Sequence, residues 1–428
     1  MAHGTSIWDG GPLKFLHASD LHIDSPLRGL SAYEGAPIQE IRGATRRAVE
    51  NLVGAAVSND VDLVVLAGDI FDGDWKDYST GLFWIRQLVR LYDEGIPVVL
   101  VAGNHDAVSE VSKRLSYPPN VYQLSSAAPQ IQLFDELDLA VVGQSYASRV
   151  VAGDLVANFP SADPGLFTIG LLHTSLDGRV GHASYAPTTV DMLRSRGYSY
   201  WALGHVHQRE VVSTEPHIVF AGNLQGRHIR ETGPKGASLV TTQEAEVVSI
   251  APLELDVVRW TNCYVDVSQA QTFEEVISEI SQVLDKSVID ASGRLVAARV
   301  NISGTSPIHR ELWRRSEQLD SEVRGLGAVR GDLWIEKVVL GTRNFVRADG
   351  EVVEAIRQRA KQLQDDPEEF ASLLSVFMDL RNKLPLELRV NGLNGEESVG
   401  PTSESHLRAT LESAGDLISS LLSETDPS

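Results

Sequence analysis

With 428 residues, the chain has room for two to four domains and for a core that needs no covalent staples. Its net charge of −21, from 37 basic and 58 acidic residues, excludes a protein that coats nucleic acid by bulk charge, although not a nuclease with a local basic groove. The single cysteine, Cys263, excludes an intramolecular disulfide and fits a reducing compartment, and the most apolar stretches, such as Ile96 to Ala102, are far shorter than the ~18 residues of a membrane span.

Taken in chain order, Leu13–His17 is a short apolar run and a predicted strand. Ile38–Asn59 has helical spacing through Ile41, Ala44, Ala48, Leu52 and Ala55. Val61–Leu66 is a β-branched, buried strand, Gly81–Tyr92 a helix with Leu82, Ile85, Leu88 and Val89 on one face, and Val98–Val101 another buried strand. Further strands are predicted at Ala140–Val142, Phe167–Leu172, Trp201–Leu203, Val211–Ser213, Ile218–Phe220, Ser238–Thr241 and Val247–Ile250. An early βαβ-like part followed by a strand-rich part predicts a two-sheet α/β sandwich over residues 1–255.

Residues 256–345 change character. Strands at Arg259–Val267 and Leu295–Ile302 flank a helix at Phe273–Leu284, and a second helix, Ile308–Gly325, leads to a strand at Leu333–Val339. This βαβαβ pattern predicts a smaller α+β domain. Residues 346–428 are helical and acidic, with helices at Val352–Leu363 and Phe370–Leu380, a polar linker at Asn391–Ser403, a last helix at His406–Leu422 and a frayed tail. The apolar spacing in this segment reads most simply as core. No basic region followed by an apolar one opens the chain, so a cytoplasmic location is expected.

Five clusters of metal-ligand residue types fall at the ends of predicted strands: Asp20 and His22; Asp69 and Asp72; Asn104, His105 and Asp106; His173; and His205 and His207. In an open α/β sheet, sites gather beyond the carboxyl ends of strands. Asp20 and His22 are two apart, as are His205 and His207, so each pair faces one side of an extended segment. Asp69 can bridge two cations. Imidazole mixed with carboxylate and amide oxygen suits Mn, Fe or Zn better than Ca or Mg. Two such cations, roughly 3.5–4 Å apart, would clamp the attacking and leaving oxygens of a displacement at phosphorus and make hydroxide available near neutral pH. His105 is placed to protonate the leaving oxygen or to stabilise the transition state, with Asp106 a candidate to orient its ring. Asp72 is either a group orienting a ligand or a turn residue, and Asp24 reads as a local cap. His17, inside an apolar strand, reads as a hydrogen-bonded core histidine. Arg227, His228, Arg230 and Lys235 lie in the Gly-rich stretch Gly222–Gly236 and read either as a phosphate-binding patch or as a solvated loop. Trp75, Lys76 and Tyr78, in a polar loop, read either as contacts or stacking partners for nucleic acid or as packed or simply exposed side chains.

Taken together, Asp-x-His, Gly-Asp-x-x-Asp, Gly-Asn-His-Asp, a lone His and Gly-His-x-His resemble the motifs of the calcineurin-like metallophosphoesterase superfamily. Asp20–Leu27, Trp201–His207 and Gly222–Arg230 resemble its SbcD/YhaO group of bacterial DNA-repair exonucleases, over roughly the first 250 residues. The resemblance implies that Asp20, His22, Asp69 and His207 hold one metal and that Asp69, Asn104, His173 and His205 hold the other. It implies His105 as the catalytic histidine, manganese as the metal, DNA as substrate and a capping role for residues 256–345. It also implies a homodimer, and an SMC-like coiled-coil ATPase partner for which the C-terminal helices are a docking candidate. Asp72 stands where archaeal and eukaryotic relatives carry a second histidine, so no catalytic help from such a residue carries over. A small-molecule or cyclic-nucleotide phosphodiesterase and a non-catalytic scaffold are the competing readings.

Overall fold

The computed structural model describes residues 12–25, 37–72, 78–108, 115–176, 186–344 and 351–383, with five further positions between 407 and 414. Trp75, Lys76, the predicted linker Asn391–Ser403, most of the predicted helix His406–Leu422 and the tail lie outside the described residues. The chain divides into two compact units. One comprises residues 1–264, 280–301 and 320–339, and the other residues 265–279, 302–319 and 340–428.

The first unit opens with β1 (Lys14–Ala18), α1 (Ile38–Arg42), α2 (Ala44–Ser58), β2 (Leu63–Ala67), α3 (Tyr78–Asp93), β3 (Val98–Val101) and β4 (Val121–Gln123). It continues with β5 (Gln130–Phe134), β6 (Leu139–Gly143), β7 (Phe167–His173), α4 (Val190–Ser195), β8 (Tyr200–Gly204), β9 (Glu210–Thr214), β10 (His217–Phe220), β11 (Gly236–Gln243) and β12 (Glu246–Glu254). The strands form two six-stranded sheets, in the orders β12-β11-β1-β2-β3-β4 and β5-β6-β7-β8-β10-β9. The central strands β1 to β4 and β6 to β8 run parallel to their neighbours within each set.

Strand alternation explains the sandwich. Phe15, Leu63, Val65, Val99 and Val101 of the first sheet share one core with Val141, Ile169, Leu171, Tyr200 and Ala202 of the second. The intervening residues Leu16, Val64, Leu66, Val98 and Leu100 face outward and are covered by Ala48, Leu52, Phe83, Trp84 and Leu88 of α2 and α3. On the far side, Leu172, Trp201 and Leu203 pack with Leu193 of α4 and with Phe159. Both faces of the middle strands are therefore covered, which is why they read as continuous apolar runs. The expected two-sheet sandwich is the fold observed.

Two expected helices are interrupted. Gly43 separates α1 from α2, at the residue with the weakest helical preference among the non-prolines. Arg315, with ψ 22°, ends α6 (His309–Arg314) before α7 (Ser316–Arg330) begins. The strands β4 and β5 and the helix α4 are additional to those expected from sequence. β5 is an edge strand whose Ile131 and Leu133 are half exposed, so its alternation is weak as a buried signal. The remaining elements are β13 (Val258–Asp266), α5 (Phe273–Asp290), β14 (Leu295–Ser306), β15 (Leu333–Asn344), α8 (Glu351–Asp365) and α9 (Pro367–Lys383), with β13, β14 and β15 forming a three-stranded sheet. Within the first unit, Trp260 packs edge-on against Trp334. Within the second, the Arg315 guanidinium lies 3.7 Å over the Phe273 ring. No described helix is long and apolar enough to cross a membrane.

His17 is fully buried, with Nδ1 3.0 Å from the Tyr200 hydroxyl and Nε2 3.2 Å from the Leu203 carbonyl. Burial lowers its pKa to about 3, so the ring is neutral in the folded state. Above the unfolded value near 6.5, neither state binds a proton there. As pH falls below that value, the unfolded chain takes up a proton and the folded chain does not, so stability declines by up to about 1.4 kcal/mol per pH unit. Urea unfolding of the metal-free protein between pH 7 and 4 is expected to show a pH dependence about one proton steeper than that of His17→Gln. Equal slopes would refute this account.

Candidate metal centre

The site lies beyond the carboxyl ends of β1, β2, β3, β7 and β8. The backbone there is tightly bent. Asp20 (φ 51°), His22 (φ 43°), Asp69 (φ 52°) and His205 (φ 98°) all occupy left-handed conformations, which side-chain-bearing residues rarely adopt. Cross-links hold these turns: Asp20 N–H donates to the Gly68 carbonyl (3.0 Å), His22 N–H to the Asp69 carbonyl (3.1 Å) and Ile23 N–H to the Ile70 carbonyl (3.0 Å). Two motif glycines are required by close approach. A Cβ on Gly68, at φ 90°, would lie 2.7 Å from His173 Nδ1, and one on Gly103 would lie 2.3 Å from Asp69 Oδ1.

The ligand-type atoms converge. His22 Nε2 lies 3.9 Å from an oxygen of Asp20, 3.9 Å from Asp69 Oδ2 and 3.2 Å from His207 Nε2. His207 Nε2 is 3.6 Å from Asp20 Oδ1. Asp69 Oδ2 is also 3.5 Å from His173 Nε2, which in turn is 3.0 Å from Asn104 Oδ1. The rings of His173 and His205 meet edge to face, with centroids 5.1 Å apart. All seven residues expected as ligands are thus brought to one place. Asp69 lies between the His22 and His173 sides, in a bridging position.

The donor chemistry fits divalent cations. His173 Nδ1 lies 2.8 Å from the Ala67 carbonyl, which turns Nε2 toward the Asn104 amide oxygen at 3.0 Å. The buried Asp20 Oδ1 has no hydrogen-bond partner, while Oδ2 accepts from His205 N–H (3.0 Å). Burial opposes charge on His207, yet the Asp20 and Glu231 carboxylates outweigh it and raise its pKa to about 9. A divalent cation would satisfy the attraction that otherwise favours this proton. Burial holds His22 well below its usual pKa, leaving it neutral and able to ligate.

Around these atoms stand groups that position them. Glu231, 7% exposed, accepts the His207 Nδ1–H at 2.7 Å, which leaves Nε2 for the site. It also accepts from Asn223 (3.0 Å) and from the Arg227 backbone N–H (2.8 Å). Sequence reasoning missed Glu231. It follows His207 by 24 residues in an irregular stretch, and no spacing rule links the two. Asp72 is the group that holds the His105 ring, through Oδ1 to Nδ1 at 3.0 Å, and is no simple turn residue. Burial works against charge on His105, but this bond and the nearby Asp69 raise its pKa. The orienting role expected of Asp106 is therefore corrected. Its carboxylate accepts the backbone N–H groups of Ile70 (3.1 Å), Phe71 (2.9 Å) and Gly103 (3.0 Å), tying two ligand-bearing loops together. Burial, with help from Asp69, raises its pKa to about 6. Asp106 opens a 3-10 turn that His105 precedes, and its carboxylate turns to backbone amides while the His105 ring meets Asp72.

The basic stretch is divided. His228 and Arg230 are exposed, whereas the Arg227 side chain is only 14% exposed and faces Glu231 and Asp72. Lys235 is buried and donates to the His207 carbonyl (2.9 Å), which removes it from a surface patch. Asp24 forms a two-pronged ion pair with Arg46 and accepts from Thr80, fastening the first ligand loop to α2 and α3. Tyr78 is exposed.

Comparison with known proteins agrees with this geometry. The calcineurin-like phosphoesterase model matches residues 13–209, and the model for the middle domain of metallophosphoesterase YhaO matches residues 260–343. The uncharacterized metallophosphoesterase YhaO of Bacillus subtilis is 35% identical over 299 residues, covering 69% of this chain and 72% of that protein. The DNA double-strand break repair protein Mre11 of Sulfolobus acidocaldarius is 23% identical over 312 residues, covering 70% and 77% of the two chains. The SbcD component of the Escherichia coli K12 nuclease SbcCD is 32% identical over 103 residues, only 24% of this chain and 23% of that one. The strand-end ligands and the match over most of both chains lead to one conclusion: the chain belongs to the calcineurin-like phosphoesterase family, in its SbcD/YhaO-type group.

Proposed function

We propose that the protein is a manganese-dependent DNA exonuclease, the nuclease component of a cytoplasmic repair complex. The observation that carries this reading is the convergence of seven ligand-type side chains beside a histidine whose ring is held by Asp72 and is still 31% exposed. Relatives named as a DNA double-strand break repair protein and as part of a nuclease support DNA as the substrate. Asp20, His22, Asp69 and His207 would hold one cation, and Asp69, Asn104, His173 and His205 the other. Bound there, the pair would polarise the phosphoryl group and lower the pKa of water. Asp72 fixes His105 Nδ1, leaving the second ring nitrogen to deliver a proton to the departing oxygen. His228 and Arg230, exposed beside the site, would contact backbone phosphate.

In this reading residues 1–255 form the catalytic domain, 256–345 cap it over DNA, and 346–428 dock an SMC-like coiled-coil ATPase. A second copy of the chain is the proposed neighbour of α3, where Tyr78, Leu82, Val89 and Tyr92 form an exposed apolar stripe at helical spacing.

Manganese at about 100 times its Kd is expected to raise the unfolding free energy by about 2.7 kcal/mol for each site filled in denaturant titrations, and Asp69→Asn to abolish most of that gain. On end-labelled linear duplex with Mn2+, the protein, alone or with its ATPase, is expected to release nucleotides. His105→Ala should slow this about 10²-fold or more. Turnover of a cyclic nucleotide with none on DNA would select the small-molecule phosphodiesterase reading instead.

A further inference from the structure

Two imidazoles of the site are each held by a carboxylate: His105 by Asp72 and His207 by Glu231. One side chain lies between those carboxylates. Arg227 places Nη1 3.6 Å from Asp72 Oδ2, and Nη2 3.1 Å from Glu231 Oε1. Its Nε adds a longer contact of 3.4 Å to Glu231 Oε2, and its Nη2 lies 3.3 Å from His207 Nδ1. A planar guanidinium has donors on two edges, so one residue can serve two carboxylates in fixed relative positions, which a lysine ammonium does less well. The chain His105–Asp72–Arg227–Glu231–His207 thus runs without a gap from the proton-donating ring to a ligand ring. Its members come from four stretches of the chain, with Arg227 and Glu231 four residues apart in one of them.

We propose that Arg227 is a positioning residue: by bridging Asp72 and Glu231 it sets the imidazoles of His105 and His207 relative to one another, and it is not a contact for substrate phosphate. The Arg227 side chain is only 14% exposed and turned toward two carboxylates, whereas His228 and Arg230 are exposed. The bridge also keeps two anionic groups about one guanidinium width apart in a buried place where they would otherwise repel. The inference rests on the family's phosphodiester hydrolysis and not on DNA being the substrate.

The test uses the full chain with Mn2+, a small diester (bis-p-nitrophenyl phosphate) and calorimetric titration with Mn2+ alone. In Arg227→Ala, kcat on the small diester is expected to fall at least about ten-fold with KM changed less than about two-fold. Mn2+ affinity should weaken by about 10–100-fold, as for loss of other groups that orient a metal-bound histidine. Added guanidinium ion should recover part of the lost kcat, and Arg227→Lys should recover less than half of it. In the His105→Ala background, Arg227→Ala should cost much less, because the two act through one ring. A rise in KM with kcat and Mn2+ affinity unchanged would make Arg227 a substrate ligand and overturn the proposal. So would wild-type values on both measurements. Should Arg227→Ala not fold, Arg227→Lys and Glu231→Gln carry the same two measurements. The metal titration decides the matter even where no DNA cleavage is seen.

Discussion

The constraint on which the structure depends is the crowding of acceptors at one end of a dry sandwich. Asp20 and Asp69 are almost wholly buried, and His22 and His173 are buried with them. In such surroundings an isolated carboxylate is costly, and two lone pairs about 3 Å apart repel. Asp20 turns one oxygen to a backbone N–H and leaves the other without a partner, while His173 Nε2 lies 3.0 Å from the Asn104 amide oxygen. A hydrophobic core would not retain such a cluster for its own stability. Divalent cations turn the same arrangement from a liability into an attraction.

Holding acceptors in that arrangement requires an unusual backbone. Four ligand-bearing residues sit at positive φ, and each such non-glycine residue costs on the order of 1–3 kcal/mol. The structure offsets that cost with bonds between neighbouring loops. Asp106 gathers three backbone donors, Asp24 anchors the first loop to two helices, and the Asp69 carboxylate receives the His105 backbone N–H. Side chains that resemble catalytic groups in the sequence are here occupied in shaping the turns on which catalytic groups stand.

This explains which features were legible from sequence. Val98–Val101 and Phe167–Leu172 stand out because a strand covered on both faces leaves an uninterrupted apolar run. The seven candidate ligands could be picked out because a metal demands particular donor types and strand ends fix their spacing. β5 was not visible: a half-exposed edge strand has no comparable pattern. Glu231 was hidden because its task is defined by a neighbour distant in sequence, as was the sharing of Arg227 between two carboxylates. Asp72 could be narrowed only to two roles, since whether a carboxylate orients a ring or closes a turn depends on where that ring lies. The misreading of Asp106 has the same origin. Sequence adjacency tells which residues share a turn, not which way each side chain leaves it.

Asp20 has a further consequence. One carboxylate oxygen reaches from the turn after β1, in the first sheet, to the backbone of His205, after β8 in the second. The same side chain presents its other oxygen to the ligand cluster, and Asp69 likewise serves atoms from both layers. Cations held there would link side chains carried by both sheets. Away from that cluster, Phe15 of the first sheet meets Tyr200 of the second edge to face, so packing alone also joins the layers. Metal binding at the cluster would therefore fasten the two layers as well as serve the chemistry of the site.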